Sequence, residues 1–345
     1  EFRRVLFRSC DGGFTRRPAG RDVVTPVPNL RNDVAAVAAD GSLLLIRDGE
    51  LVRVGAYDDV PRALVRLHPE PAPRATLLKF VAPGTLMAAF AGGGRVLRIR
   101  LDEPTPRVDV ALELSDPRAF VRQPAAAIAP DRSIVIGEYG VHPGARCGRL
   151  YRASSANGAF SEFVWLDWAR HIHAVHAARD GSILFTTGDL AERRRFLHIA
   201  PGSSRPRTIE SAWSGFTSIA ETDEAYHFGT DLRSSNALLR RSLSLREPAQ
   251  ARALPDSIDL QVRDIVAVGG GRLVALLGMD ADLVDRRDGR RASVLVSDDA
   301  GSSWSIAHEF ATDWNDAPEA LLALPGSAVR VLTQCSDTPV LITVG

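Results

Sequence analysis

The feature that most limits what this chain can fold into is a recurring hairpin. From residue 36 onward a short apolar strand, a tight turn carrying Asp or Gly, and a second apolar strand return along the sequence. Clear copies surround Asp40, Asp131, Asp180, Asp223, Gly270 and Gly326, and a looser one surrounds Gly84. Between successive markers the steps are 44, 47, 49, 43, 47 and 56 residues, a mean near 48. Four strands of about five residues with their turns fill that length, the size of one propeller blade. Helical repeats of similar period need long 3.6-periodic segments, which are not seen. The expected fold is therefore all-β, a seven-bladed β-propeller of four-stranded antiparallel blades. The last repeat has room for three strands before Gly345. The stretch from Asp22 to Pro26 is expected to supply its fourth, closing the ring and removing exposed sheet edges.

Composition agrees and removes several function classes. With 45% hydrophobic and 24% charged residues the balance is that of a globular chain. No run approaches the ~20 apolar residues a membrane helix needs, so no membrane span is expected. Forty-two basic residues against 42 acidic ones leave no net field for a polyanion, and no nucleic-acid partner is expected. Basic residues are almost all Arg, with Lys79 the only Lys, which reads as coding bias. Cys10, Cys147 and Cys335 lack the close pairs of a zinc site or disulfide framework. No metal site and no cofactor are assigned.

The chain begins Glu1-Phe2-Arg3-Arg4-Val5-Leu6-Phe7-Arg8-Ser9 without Met, and these residues back-translate to a short-read sequencing adapter. Residues 1–9 are accordingly read as an assembly scar and set aside. Residues 10–345 are read as a single propeller domain, truncated at its N-terminus, and a monomer is expected.

One motif is specific. Ser297-Asp298-Asp299-Ala300-Gly301-Ser302-Ser303-Trp304 follows the apolar strand Ser293-Val294-Leu295-Val296 and fits Ser-x-Asp-x-Gly-x-x-Trp. This resembles the Asp-box of the BNR-repeat, sialidase-like propellers. A short carboxylate and a hydroxyl bond the turn's amides, Gly permits a positive φ, and Trp packs between sheets, so the box speaks for fold and not for catalysis. Ser154-Ser155-Ala156-Asn157-Gly158 is a degenerate relative without the Asp. The resemblance implies a sugar site with three clamping Arg, a Tyr–Glu nucleophile pair and an acid–base Asp, and this set does not map. Arg98-Ile99-Arg100 lacks the Pro of the family's Arg-Ile-Pro motif, and Glu138 and Tyr139 are sequence neighbours where the family's pair comes from separate blades.

Strand alternation sorts residues between the two rims of such a ring. Loops after second strands share a rim with the entries to first strands. Second strands end in Gly137-Glu138-Tyr139, Thr187-Gly188-Asp189, Gly229-Thr230-Asp231 and Gly278-Met279-Asp280, placing four acidic residues near one rim. The first strand of the fourth repeat opens on that rim with Arg170-His171-Ile172-His173-Ala174-Val175-His176. His171 and His173 share a strand face, and His176 lies opposite. Imidazole titrates near neutrality and a carboxylate orients it, so acid–base chemistry is within reach of this set. Its structural alternative is turn capping by the acids and backbone bonding by the histidines. The loop from Asp280 to Asp288 has carboxylates of the kind Ca²⁺ takes but lacks an EF-hand pattern and reads as solvated. Trp165, Trp168, Trp213 and Trp314 are read as filling the spaces between blades rather than stacking on sugars.

Two functions remain open. In the first the rim binds or hydrolyses a carbohydrate, with His171, His173, Asp189 and Glu138 as catalytic candidates and Arg170, Tyr139, Asp231 and Asp280 as substrate-binding ones. In the second the propeller is noncatalytic and binds a protein or polysaccharide, since fold alone does not fix function.

Overall fold

The computed structural model describes most of residues 75–310. Outside them it describes the backbone of the strands β1 (Thr25–Val27), β2 (Val34–Val37), β3 (Leu43–Arg47), β4 (Glu50–Arg53), β25 (Pro318–Leu324), β26 (Ala328–Thr333) and β27 (Val340–Thr343). Five four-stranded antiparallel sheets follow one another between these flanks. The first holds β5 (Ala75–Ala82), β6 (Thr85–Phe90), β7 (Arg95–Arg100) and β8 (Arg107–Glu113). A single 3-10 turn, Gln123–Ala125, leads into β9 (Ala126–Ile128), β10 (Ile134–Gly137), β11 (Arg149–Ala153) and β12 (Ser161–Trp165). Next come β13 (Ile172–Ala177), β14 (Ile183–Thr187), β15 (Arg195–Ile199) and β16 (Arg207–Glu210). The fourth sheet holds β17 (Phe216–Glu221), β18 (Ala225–Thr230), β19 (Ala237–Ser242) and β20 (Gln250–Ala253). The fifth holds β21 (Gln261–Gly269), β22 (Arg272–Gly278), β23 (Ala292–Ser297) and β24 (Ser305–Phe310). Each is a meander in which sequence neighbours pair.

The repeated turn residues close the hairpins between first and second strands. Asp131 accepts the Ser133 amide at 2.9 Å, and Asp180 accepts the Ser182 amide at 2.8 Å and its hydroxyl at 2.6 Å. Second strands are buried on both faces: every residue of β10, β14 and β18 is buried, and their polar members Thr186, Thr187, His227 and Thr230 are enclosed with the apolar ones. Between sheets the side chains interdigitate. Phe196, Phe216 and Phe228 meet with ring centroids 4.9–5.9 Å apart, and Leu238, Val262, Leu273 and Leu295 continue the core into the fifth sheet. Buried threonines also stitch neighbours together. Thr186 donates to the Phe216 carbonyl at 2.9 Å, and Thr217 donates to the Val262 carbonyl.

First strands lie against one another in succession: β9 and β17 flank β13, and β17 and β25 flank β21. β1 lies against both β5 and β25. This radial stacking of four-stranded meanders is a β-propeller. The expected closing strand is a correction. Thr25–Val27 pairs with Val37–Ala35 of β2 and belongs to the sheet β1–β4, while β25, β26 and β27 form a three-stranded sheet. The repeat pattern aligns the strands around Asp40 as first and second, whereas they are the second and third of their sheet; Asp40 and Gly326 themselves lie outside the described residues. Among the described residues no helix is long and apolar enough to cross a membrane.

Candidate functional site

The rim at the entry to β13 is held by main-chain hydrogen bonds. The Ile172 amide donates to the Glu138 carbonyl at 2.9 Å, and the Cys147 amide donates to the Arg170 carbonyl at 2.9 Å. These bonds join the β9–β12 sheet to the start of the next one. A register shift between Ile172 and Ala174 interrupts the ladder to β14 at this entry. Both His171 and His173 are fully buried there.

The two imidazoles meet each other. His171 Nε2 lies 2.9 Å from His173 Nε2, and His171 Nδ1 lies 2.8 Å from the Gly140 carbonyl oxygen. A carbonyl only accepts, so His171 Nδ1 carries a hydrogen, and one proton is shared between the facing Nε2 atoms. Tyr139 stacks on His171 at 4.0 Å with planes 12° apart, Phe120 follows at 5.0 Å, and the Arg122 guanidinium covers Tyr139 at 5.3 Å. Gly188 makes room beneath: a Cβ there would fall 2.0 Å from His173 Nε2. Asp231 Oδ2 stands 3.9 Å from His173 Nδ1, an ion-pair distance if the ring is protonated.

Glu138 shares the rim, and its carboxylate is engaged elsewhere. It is fully buried and accepts from Ser115 Oγ at 2.7 Å, Tyr151 Oη at 2.7 Å and the Asp116 amide at 3.2 Å. Burial first, and Glu138's charge second, push the Cys147 thiol up to about 12 and raise the Tyr151 phenol as well. The thiol is therefore kept protonated and unreactive. Asp116 beside it is held down at about 2. Burial opposes this but is outweighed by bonds from the Arg118 amide at 2.8 Å and His142 Nε2 at 2.6 Å, and by the Arg118 guanidinium.

A polar chain leads outward from Glu138. Ser115 accepts from Arg149 Nη1 at 2.9 Å, Arg149 Nε donates to Glu162 at 3.0 Å, and the same guanidinium lies 4.9 Å over the Trp165 ring. Trp165 is 52% exposed, an aromatic face held open on this rim by an ordered Arg. This departs from the interblade packing expected of it. Trp168 does pack on the core, while Trp213 and Trp314 lie outside the described residues.

Of the residues singled out from sequence, the structure gathers His171, His173, Tyr139 and Asp231, and brings Arg170 in through its carbonyl. Asp189 and Asp280, with the loop up to Asp288, lie outside the described residues. His176 Nε2 lies 2.8 Å from Glu221 Oε2. Among the described residues no group of three potential metal ligands gathers. Sequence reasoning missed Gly140, Gly188, Ser115 and Tyr151, whose roles depend on approach in space; the buried-strand position of Tyr151 was the one available signal.

The Ser297–Trp304 motif occupies the β23–β24 hairpin. Asp299 accepts from Ser297 Oγ and the Ser303 amide, both at 2.8 Å, and from Ser303 Oγ at 2.6 Å, and Trp304 packs on the core. Gly301 has φ +77°, and a Cβ on it would fall 2.6 Å from His227 Nδ1 of the preceding sheet. Arg240 adds a bond to the Ala300 carbonyl at 3.2 Å. The box thus docks one sheet on the next.

No family model and no curated protein matches the chain. Among solved structures it is similar to a streptogramin B lyase, with 10% identity, TM-score 0.62, and 92% of this chain and 93% of that one covered. It is also similar to virginiamycin B lyase from Staphylococcus aureus, at 13% identity, TM-score 0.61 and coverage of 93% and 94%. YCF48 from Cyanidioschyzon merolae has 14% identity, TM-score 0.61 and coverage of 94% and 97%. Likeness at these identities extends to the fold, a β-propeller, and no further.

Proposed function

We propose that residues 10–345 form a single, monomeric, seven-bladed propeller of the BNR-repeat, sialidase-like kind, which binds a carbohydrate on the His171 rim without cleaving it. The position of β1 against both β5 and β25 supports a closed ring of seven, and the bonded Asp-box supports the BNR assignment. The observation that carries the binding function is the exposed ring of Trp165, fixed by Arg149 and flanked by Glu162. An open aromatic face stacks on the C–H side of a sugar ring while adjacent charged groups bond its hydroxyls. Binding without cleavage is inferred from the burial of the described candidates, Asp189 lying outside the described residues. A general acid must reach the glycosidic oxygen, and His171, His173 and Glu138 are enclosed and bonded to protein partners.

A glycan array read together with product analysis tests this. Wild-type protein is expected to bind glycans and release no product, and Trp165→Ala is expected to weaken binding by about tenfold with unchanged thermal stability. Product formation abolished by Glu138→Gln would restore the hydrolase. Undiminished binding by Trp165→Ala would move the site, and silence on the whole array would favour a protein partner.

A further inference from the structure

A groove of about 550 Å³ opens at the end of β12 away from Trp165. Ser154, Ser161, Glu162 and Phe163 of the β11–β12 hairpin line it, and Ser204 enters from the β15–β16 turn of the next sheet. The three serines are exposed, and among the described residues no hydrogen bond engages their hydroxyls. On the third side Arg152 is fixed: Nη2 donates to Asp131 Oδ2 at 2.8 Å, Nε donates to Ser133 Oγ at 3.1 Å, and the guanidinium lies 5.4 Å over Phe163. Each Asp131 oxygen accepts one bond, from the Ser133 amide or from Arg152, and keeps capacity for another.

We infer that this groove is a second sugar subsite, so that the ligand is a neutral oligosaccharide lying along β12 from the groove to Trp165. The inference rests on the reading of Trp165 as a sugar platform. Glu162 joins the two places: it lines the groove, and its Oε2 accepts from Arg149 Nε at 3.0 Å while that guanidinium lies 4.9 Å over the Trp165 ring. Ser161 and Trp165 are the ends of β12, four residue steps or about 13 Å apart, which is longer than one sugar ring. Charge argues for a neutral ligand. Arg152 is matched by Asp131 and Arg149 by Glu162, so the lining offers no surplus charge to a phosphate or a metal ion. Unengaged hydroxyls and spare carboxylate acceptors instead suit the alternating donors and acceptors of sugar hydroxyls. Because the lining comes from two adjacent sheets, the subsite is set by how those sheets pack.

Isothermal titration of the full chain with malto- and cello-oligosaccharides of two to six glucose units tests the inference. In one of the two series the hexaose is expected to bind at least about tenfold more tightly than the disaccharide. Ser161→Arg and Ser204→Arg fill the groove from different sheets at exposed positions. Each is expected to bring the hexaose down to the affinity of the disaccharide, with the disaccharide and the thermal midpoint unchanged. Affinity that is flat with length, or a gain that survives both arginine variants, would overturn the groove; loss of binding in Trp165→Ala would then still uphold the platform. Silence of both series would also overturn the neutral oligosaccharide, while a charged glycan retained on the array and lost in Trp165→Ala would keep the platform. Length-dependent binding untouched by Trp165→Ala would overturn the platform and with it the shared site.

Discussion

His171 and His173 face each other through Nε2 atoms 2.9 Å apart, and Gly140 fixes the hydrogen on the far nitrogen of the first ring. Two buried rings therefore act as one hydrogen-bonded unit, with space for the second ring supplied by Gly188. Gly188→Ala places a methyl group inside the His173 ring and is expected to cost about 2–3 kcal/mol in unfolding free energy by urea titration. Gly202→Ala is the control: its φ is +74° but nothing lies within 4 Å of the new carbon, so only backbone strain of about 1 kcal/mol is expected. Equal losses in the two variants would contradict the tight approach.

Glu138 accepts three hydrogen bonds in a closed site, so removing it leaves buried donors unanswered. Glu138→Ala is expected to lose about 3 kcal/mol, and Glu138→Gln clearly less because the amide oxygen still accepts. Chemical denaturation of both variants checks the order.

His227 is expected to make the fold acid-sensitive. Burial, then the Arg240 charge, lowers this imidazole to about 4, while its unfolded value is 6.5. The unfolded chain binds the extra proton first, so stability present above pH 6.5 declines as pH falls toward 4, by about 3 kcal/mol in all. His227→Gln is expected to flatten the stability curve in that window.

A second acid step belongs to Asp116 and Asp299, both held at about 2. Burial of Asp116 is outweighed by bonds from Arg118 and His142, and Asp299 is bonded mainly by Ser303. Each contributes stability that is complete above pH 4 and disappears as pH falls toward 2. The contribution is on the order of 1 kcal/mol each after solvent screening. Asp299→Ala is expected to remove part of this step without moving the one at pH 4–6.5.

What the sequence disclosed, and what it hid, follows from the range of the forces involved. Asp131 and Asp180 bond amides two residues away, so their hairpins were legible in a local pattern. The Ser297–Trp304 hairpin was legible for the same reason, since Asp299 bonds the Ser303 amide four residues on. The sheet β1–β4 departs from the repeat pattern because its first strand, β1, carries no turn signature. At the rim, strand alternation put His171 with His173 correctly. It could not show that Glu138 turns toward Ser115 and Tyr151, because those partners are 23 and 13 residues away and reach it only after the sheets pack.

The Ile172 and Cys147 amides are bonded across a boundary between sheets and not along a strand ladder. Their exchange with deuterated solvent therefore requires two neighbouring sheets to part, while amides inside a meander exchange when that meander frays. Slow exchange at these two positions reports how firmly adjacent sectors of the wheel hold together, separately from how firmly each sector holds itself.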